Sequence, residues 1–292
     1  ITGNNASGSA INGNVRNPTT LDYFNRGNLD PVTGFTRTFP GAACANFTDQ
    51  PQGDPGGGCL IDSTLRYNQM LPQQENYSLF GRGTWRLRPE MEAYSELNLY
   101  TSRTNSSTTP NTVSANVGYP GGPVSNAGVQ FGAAHPDNPY FGTPARLRYL
   151  AGDVGPRESR IDSFFVRALA GLKGTLRGWE YDTSLLFSRS NVENERFGYL
   201  QRDVTFAMLD PSAANIAAAL ATSPAYAALP IGTVWRIAEN AGLNSPGVYV
   251  AISPTISNDA HTKIIQGDVK ATHEFGQLEG GASGVAVGAE WR

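Results

Sequence analysis

The sequence predicts an all-β protein, an antiparallel transmembrane β-barrel of which this chain carries a part, roughly six to eight strands, with long extracellular loops containing short helices. Three observations predict it. Apolar and polar residues alternate in three segment pairs, the period of a strand with one face in an apolar medium. The turns inside each pair are short, whereas the segments between pairs, 104–160 and 193–262, are far longer than compact soluble domains usually contain. Short turns on one rim and long loops on the other are the asymmetry of outer-membrane barrels. Composition agrees: charged residues make up only 16%, against roughly 25% in ordinary soluble proteins.

Residues 1–75 read mostly as extracellular loop. Cys44 and Cys59 lie in it, within a Gly, Pro and Asp-rich stretch. A disulfide between them would stabilise that loop by about 3 kcal/mol and needs an oxidising compartment; two free thiols are the alternative. No His lies nearby, which argues against zinc. The opening ITGNNASGSA has neither a basic start nor an apolar stretch, so a signal peptide is expected to have been removed or the chain to begin inside a longer protein.

The first hairpin spans 76–103. Tyr77, Leu79, Gly81, Gly83, Trp85 and Leu87 fall on one face, and Asn76, Ser78, Arg82, Thr84 and Arg86 on the other, with Phe80 the exception. After Arg88-Pro89-Glu90, Ala93, Leu97 and Leu99 lie opposite Glu92, Tyr94, Glu96 and Asn98. The second hairpin, 161–192, sets Phe164, Val166, Ala168, Ala170, Leu172 and Leu176 against Arg167 and Lys173, turns tightly at Arg177-Gly178, and returns with Trp179, Leu185 and Phe187 opposite Glu180, Asp182 and Ser184. The third, 263–292, sets Ile265, Val269, Ala271 and Phe275 against Asp268, Lys270 and Glu274, then runs through Val285 and Val287 to Trp291. A soluble sandwich alternates in the same way; the long connections decide for the barrel.

Of those connections, 105–145 is rich in Ser, Thr, Asn, Pro and Gly and reads as mobile or ordered by a ligand. Asp210-Pro211 reads as a helix start, with Asp as N-cap and the Ala-rich run to Leu220 following. A second helix is read over Val234 to Gly242, with Gly242 as its C-cap. No window approaches the ~20 consecutive apolar residues of a membrane-spanning helix. A net charge of -3 without basic runs argues against a nucleic-acid partner.

The sequence advertises no enzyme, no cofactor and no metal site. His135, His261 and His273 are dispersed, and neither a G-x-S-x-G elbow nor a phosphate-binding glycine loop occurs. Glu92 with Glu96, or Glu180 with Asp182, share one face of a strand and could serve as a glycosidase dyad. The reading preferred here is a hydrated lumen wall, with Arg82, Arg86, Arg167 and Lys173 facing them. Trp85, Trp179 and Trp291 are read as membrane-interface aromatics, against the alternative that such residues fill a soluble core. His135, Asn138, Tyr140, Arg146, Arg148, Tyr149 and Arg157 are the candidate ligand contacts at the barrel mouth, since arginine forks and aromatic faces suit anionic chelates or sugars. Structural pairing with Asp153 and Glu158 competes with that role.

Several stretches resemble the barrel of TonB-dependent receptors, particularly those of xanthomonad-like and sphingomonad-like bacteria. They are NPYFGTPARLRYLAGDVGPRESR, LAGLKGTLRGWEYDTSLLFSRS, GYLQRD, WRIAENAGLNS and the ending GVAVGAEWR, together with NYSLFGRGTWRL and EAYSELNLYTSRT. The resemblance covers most of residues 59–292 and implies a bacterial outer-membrane receptor in contact with lipid. It further implies a larger barrel, an N-terminal plug, and energy relayed by the TonB complex through that plug and its TonB box, neither of which this stretch contains. The implied function is energised uptake of a scarce nutrient: siderophore, oligosaccharide, cobalamin or peptide. Alternatives are a passive porin-type diffusion channel and a soluble secreted carbohydrate-binding β-protein.

Overall fold

A computed structural model describes residues 6–7, 14–16, 61–62, 67–114 and 130–292. The strands, in chain order, begin with β1 (Ala6–Ser7), β2 (Asn14–Arg16) and β3 (Ile61–Asp62). Next come β4 (Gln73–Arg88), β5 (Met91–Thr108), β6 (Thr112–Ser114), β7 (Gln130–Phe131) and β8 (Ala145–Leu150). The last are β9 (Arg157–Leu176), β10 (Trp179–Phe197), β11 (Ile256–Leu278) and β12 (Gly281–Trp291). Four helices lie between β10 and β11: α1 (Arg202–Leu209), α2 (Ala213–Thr222), α3 (Pro224–Ala227) and α4 (Pro246–Ile252). The chain divides into two units, one of residues Pro72–Asn105, Ser159–Glu195 and Ser257–Arg292, the other of Ile1–Leu71, Ser106–Glu158 and Arg196–Ile256.

The first unit is a six-stranded sheet in the order β12-β11-β10-β9-β5-β4. Its three hairpins are the three predicted ones. Arg88 pairs with Met91 across the Pro89-Glu90 turn, next to a bulge between Arg86 and Arg88. At the second turn Arg177 and Gly178 both have positive φ, 53° and 83°, as a two-residue hairpin loop matched to the strand twist requires. Leu278 pairs with Gly281 at the third. All three hairpins are longer than the sequence predicted. Alternation fades where the apolar residues stop, but the ladder continues through flanks that are polar on both faces and so leave no hydrophobic period.

Register sorts the faces as expected. Leu79 faces Leu99 and Trp85 faces Ala93, while Arg82 faces Glu96 and Arg86 faces Glu92. The apolar face is open: Leu97 is 41%, Val269 47% and Leu185 58% exposed, and Val166 is half-buried.

The second unit has a conventional core. A four-stranded sheet, β2-β8-β6 with β7 also pairing β8, packs with the helices around Phe131, Leu147, Tyr149, Met208, Trp235 and Ile252. This corrects the expectation of a mobile 105–145 segment over its described part, because Val113, Phe131, His135, Asn138 and Ala145 are all buried. The helix boundaries also need correction. Asp210 is not an N-cap; it closes α1, its N–H donating to Phe206 O. Ser212 caps α2 instead, its hydroxyl accepting from Asn215 N. Over 234–242 the only helix is a short 3-10 segment, Ala238–Leu243, ending at Asn244 rather than Gly242. Sequence reasoning missed α1, α3 and α4. Val204, Thr205 and Phe206 resemble strand formers, whereas Ser245-Pro246 was a legible helix start.

Candidate functional site

The polar face of the sheet is a continuous hydrogen-bonded wall, built because alternate residues on neighbouring strands meet at the same level. Glu96 lies 3.8 Å from Arg82 Nε and 3.2 Å from Arg167 Nη1. Lys173 Nζ lies 3.1 Å from Glu92. Tyr94 reaches over Gly171, where a Cβ would stand 2.3 Å from its ring, and donates to Asp182 Oδ1 at 2.7 Å. Ser184 donates to Asp268 at 2.6 Å. The predicted lumen-facing set therefore shares one face, and Glu180 and Asp182 line a hollow of about 370 Å³ with Lys173, Lys270 and Thr272. Two of its acids, Glu92 and Glu96, are neutralised by cations, and Asp182 accepts from a phenol. Nothing in that pattern singles out a proton donor for glycoside hydrolysis.

The opposite face is apolar through its middle and charged beyond it. Near the short turns, Trp85 is 55% exposed, and Trp179 stacks on His273, which also meets Gly178 O through Nδ1 at 2.7 Å. Trp291 is placed differently: it pairs with Gly267, far along β11 from the Leu278–Gly281 turn. Of the three predicted interface aromatics, two stand at the turn end and one at the other end of its strand. Farther from the turns the same parity carries Glu75 opposite Arg103, and Arg103 pairs with Asp162 at 2.7 Å. Sequence reasoning did not mark these residues; the signal was charge continuing on the apolar parity.

The predicted ligand segment is mostly interior. His135, Asn138 and Tyr149 are fully buried. Asp137 N–H donates to His135 Nδ1 at 3.0 Å, so that nitrogen accepts and Nε2 is the one that donates to Trp235 O, 3.1 Å away. Asn138 Nδ2 donates to Gly132 O and Thr143 O, closing the turn. Tyr149, Trp235 Nε1 and Tyr249 all donate to the Asp153 carboxylate; the expected arginine partner of Asp153 is replaced by these three. Burial, ahead of Asp153, pushes the Tyr249 phenol above its ordinary value of 10.0. Tyr140 is half-buried, its N–H donating to Asn138 Oδ1. Arg157 Nε donates to Thr109 O and its guanidinium lies 5.9 Å from the Tyr199 ring. Of Arg146 and Arg148 only the backbone is described, paired with β2. His135, Asn138 and Tyr149 thus build this unit's core and do not present themselves to a ligand on its surface.

Cys44 and Cys59 lie outside the described residues. Among the described residues, no three His, Cys, Asp or Glu are grouped to hold a metal ion, and no helix is long and apolar enough to cross a membrane. No family model, no curated protein and no solved structure matches the chain. The chemistry of the two sheet faces is therefore the basis for a functional reading.

Proposed function

We propose that this chain is part of a transmembrane β-barrel of a bacterial outer membrane, serving TonB-energised uptake of a scarce nutrient. The observation that carries the reading is the exposed apolar face. It runs from Tyr77 to Leu87 on β4 and from Phe164 to Leu176 on β9, flanked by Trp85 and Trp179 near one end and by Glu75, Arg103 and Asp162 at the other. Those spans are roughly 33–40 Å along the strand, or ~23–28 Å at a tilt of about 45°, close to the ~25 Å outward band of such barrels. In water, a patch this wide is an aggregation liability; in lipid it is a requirement.

The polar wall supports a hydrated interior, and the resemblance in sequence supports the receptor class over a diffusion channel. The test has two stages. The chain should float with phospholipid vesicles in a density gradient; remaining at the bottom in soluble, monodisperse form would overturn the membrane reading. In cells carrying the complete gene, nutrient uptake should stop when the proton-motive force is collapsed. Uptake that continues would favour the porin alternative.

A further inference from the structure

Beyond the apolar band, at the end of the strands away from the short turns, the exposed face carries a groove of about 720 Å³, within the ~300–1,000 Å³ of small-molecule sites. On β10, going away from the turn, it is lined by Arg189, Asn191 and Glu193, which share one parity. Arg189 and Glu193 stand four residues, roughly 13 Å, apart along the strand. On β11, His261 is followed in the same direction by Asp259. Phe164 on β9 and Asn191 on β10 are equally far from the Arg177-Gly178 turn, as are Asp162 and Glu193, so each pair stands at one level. The middle of the groove thus holds a ring and an amide, without a fixed charge, and Phe164 is 44% exposed there. Arg103 and Asp162 also line the groove but neutralise each other at 2.7 Å. Arg189 Nε donates to Asn191 Oδ1 at 3.2 Å, which leaves the amide Nδ2 to donate elsewhere.

Going beyond the uptake reading, we propose that this groove binds a neutral oligosaccharide. The C–H face of one sugar ring lies on Phe164. Hydroxyls accept from the Asn191 amide and from Arg189, and donate to Glu193 and Asp259. Charge and reach together favour such a ligand. A small ion reaches only one end of a ~13 Å span, and a longer ligand of one sign is repelled at the other end. A hydroxyl both donates and accepts, so one repeated chemistry meets the cationic and the anionic end alike. Between them the ring needs an aromatic surface and a neutral amide rather than a counter-charge. A zwitterionic peptide of the same length is the rival, and it would be held at its ends by charge. The groove shares its parity with the apolar band, so it stands apart from the polar wall and from any passage along it.

The test is saturation-transfer difference NMR on the full chain in tetraethylene glycol monooctyl ether, a detergent without a sugar headgroup. The probes are maltotriose, cellotriose and mannotriose, beside trigalacturonate and triglycine. At least one neutral trisaccharide should bind, and its affinity should hold from low to high salt, because hydroxyl contacts are not screened as charges are. Phe164→Leu keeps the apolar bulk and removes the ring; Asn191→Ala removes the amide. Each should weaken binding about threefold or more. Phe164 is exposed and Asn191 half-buried, so strand circular dichroism of both variants should match the parent. Repeating the measurement in phosphatidylcholine vesicles, with and without a diacylglycerol bearing the bound sugar, assigns its source. Loss of the trisaccharide signal shows that a membrane glycolipid reaches the groove, a retained signal leaves it to soluble glycans, and both uphold the site. Binding of no neutral trisaccharide, preference for trigalacturonate or triglycine, affinity that falls with salt, or binding unmoved by both variants would each overturn the proposal. Failed flotation or uptake strikes only the membrane and transport reading, since the detergent measurement depends on neither.

Discussion

Arg236 grips Asp137 through both carboxylate oxygens, with Nη2 2.6 Å and Nε 3.0 Å away, although 99 residues separate them. The Asp137 side chain is only 2% exposed, and Ile237 N–H and Asn240 Nδ2 donate to it as well. The carboxylate thereby ties the 131–143 turn to the start of the 3-10 segment. Removing the buried carboxylate leaves the Arg236 guanidinium, 23% exposed, and two further donors without their partner, a cost below the ~3–5 kcal/mol of a fully buried pair. Asp137→Ala should therefore speed amide hydrogen exchange in both 131–143 and 235–244. Unchanged protection in either stretch would show that the pair does not hold them together.

Gly171 is set against Tyr94 in the sheet. An added Cβ would stand 2.3 Å from the phenol ring and 2.8 Å from Thr183 O, so the ring must leave and its bond to Asp182 must break. Overpacking of this kind costs about 1–3 kcal/mol, and the lost hydrogen bond about 1 kcal/mol more. Gly171→Ala should lower the melting temperature more than Tyr94→Phe, which forfeits the hydroxyl alone. An alanine variant as stable as the parent would mean that the ring does not lie over Gly171.

The legible part of this fold was its local part. Leu185 beside Ser184, or Trp85 beside Arg86, announces a face because period two is written in neighbouring residues. Arg177-Gly178 announces a turn because few residues accept positive φ. The Asp137–Arg236 pair was illegible for the opposite reason: its partners meet only through tertiary packing. His135, Asn138 and Tyr149 were misread because turn residues mixed with aromatics look alike in a binding loop and in a small core. Asp210 and Ser212 both suit an N-cap, and only the preceding helix, which Asp210 terminates, decides between them. Arg103 and Asp162 escaped notice because their parity had already been assigned to apolar residues.

Leu185 and Leu186 are sequence neighbours on opposite faces, which makes them a test of the membrane reading. Leu185 is 58% exposed on the apolar face, and Leu186 lies on the polar face and is half-buried. An arginine facing lipid at mid-depth costs about 2–4 kcal/mol, whereas one facing a hydrated interior costs far less. Leu185→Arg should cut the fraction of chain that folds into vesicles severely, and Leu186→Arg should change it little. Equal effects of the two variants would mean that the faces are not in different solvents.

Asp210 ends α1 with its carboxylate at the negative pole of the helix, and burial raises its pKa above the ordinary 3.8. A carboxyl whose folded pKa lies above its unfolded value contributes stability that is fully present below about 3.8 and is lost as pH rises through the folded value. At neutral pH the ionised group is therefore a small liability, compounded by the helix dipole. Asp210→Asn keeps the shape and removes the charge. It should stabilise the chain at pH 7 by a few tenths of a kcal/mol, solvent screening holding the gain down. The gain should shrink toward zero as the pH falls below the carboxylate range, where the native aspartic acid is itself neutral. Thermal unfolding of both proteins across pH 3–7 reads this directly, and an advantage that grew on acidification would reverse the assigned direction of the shift.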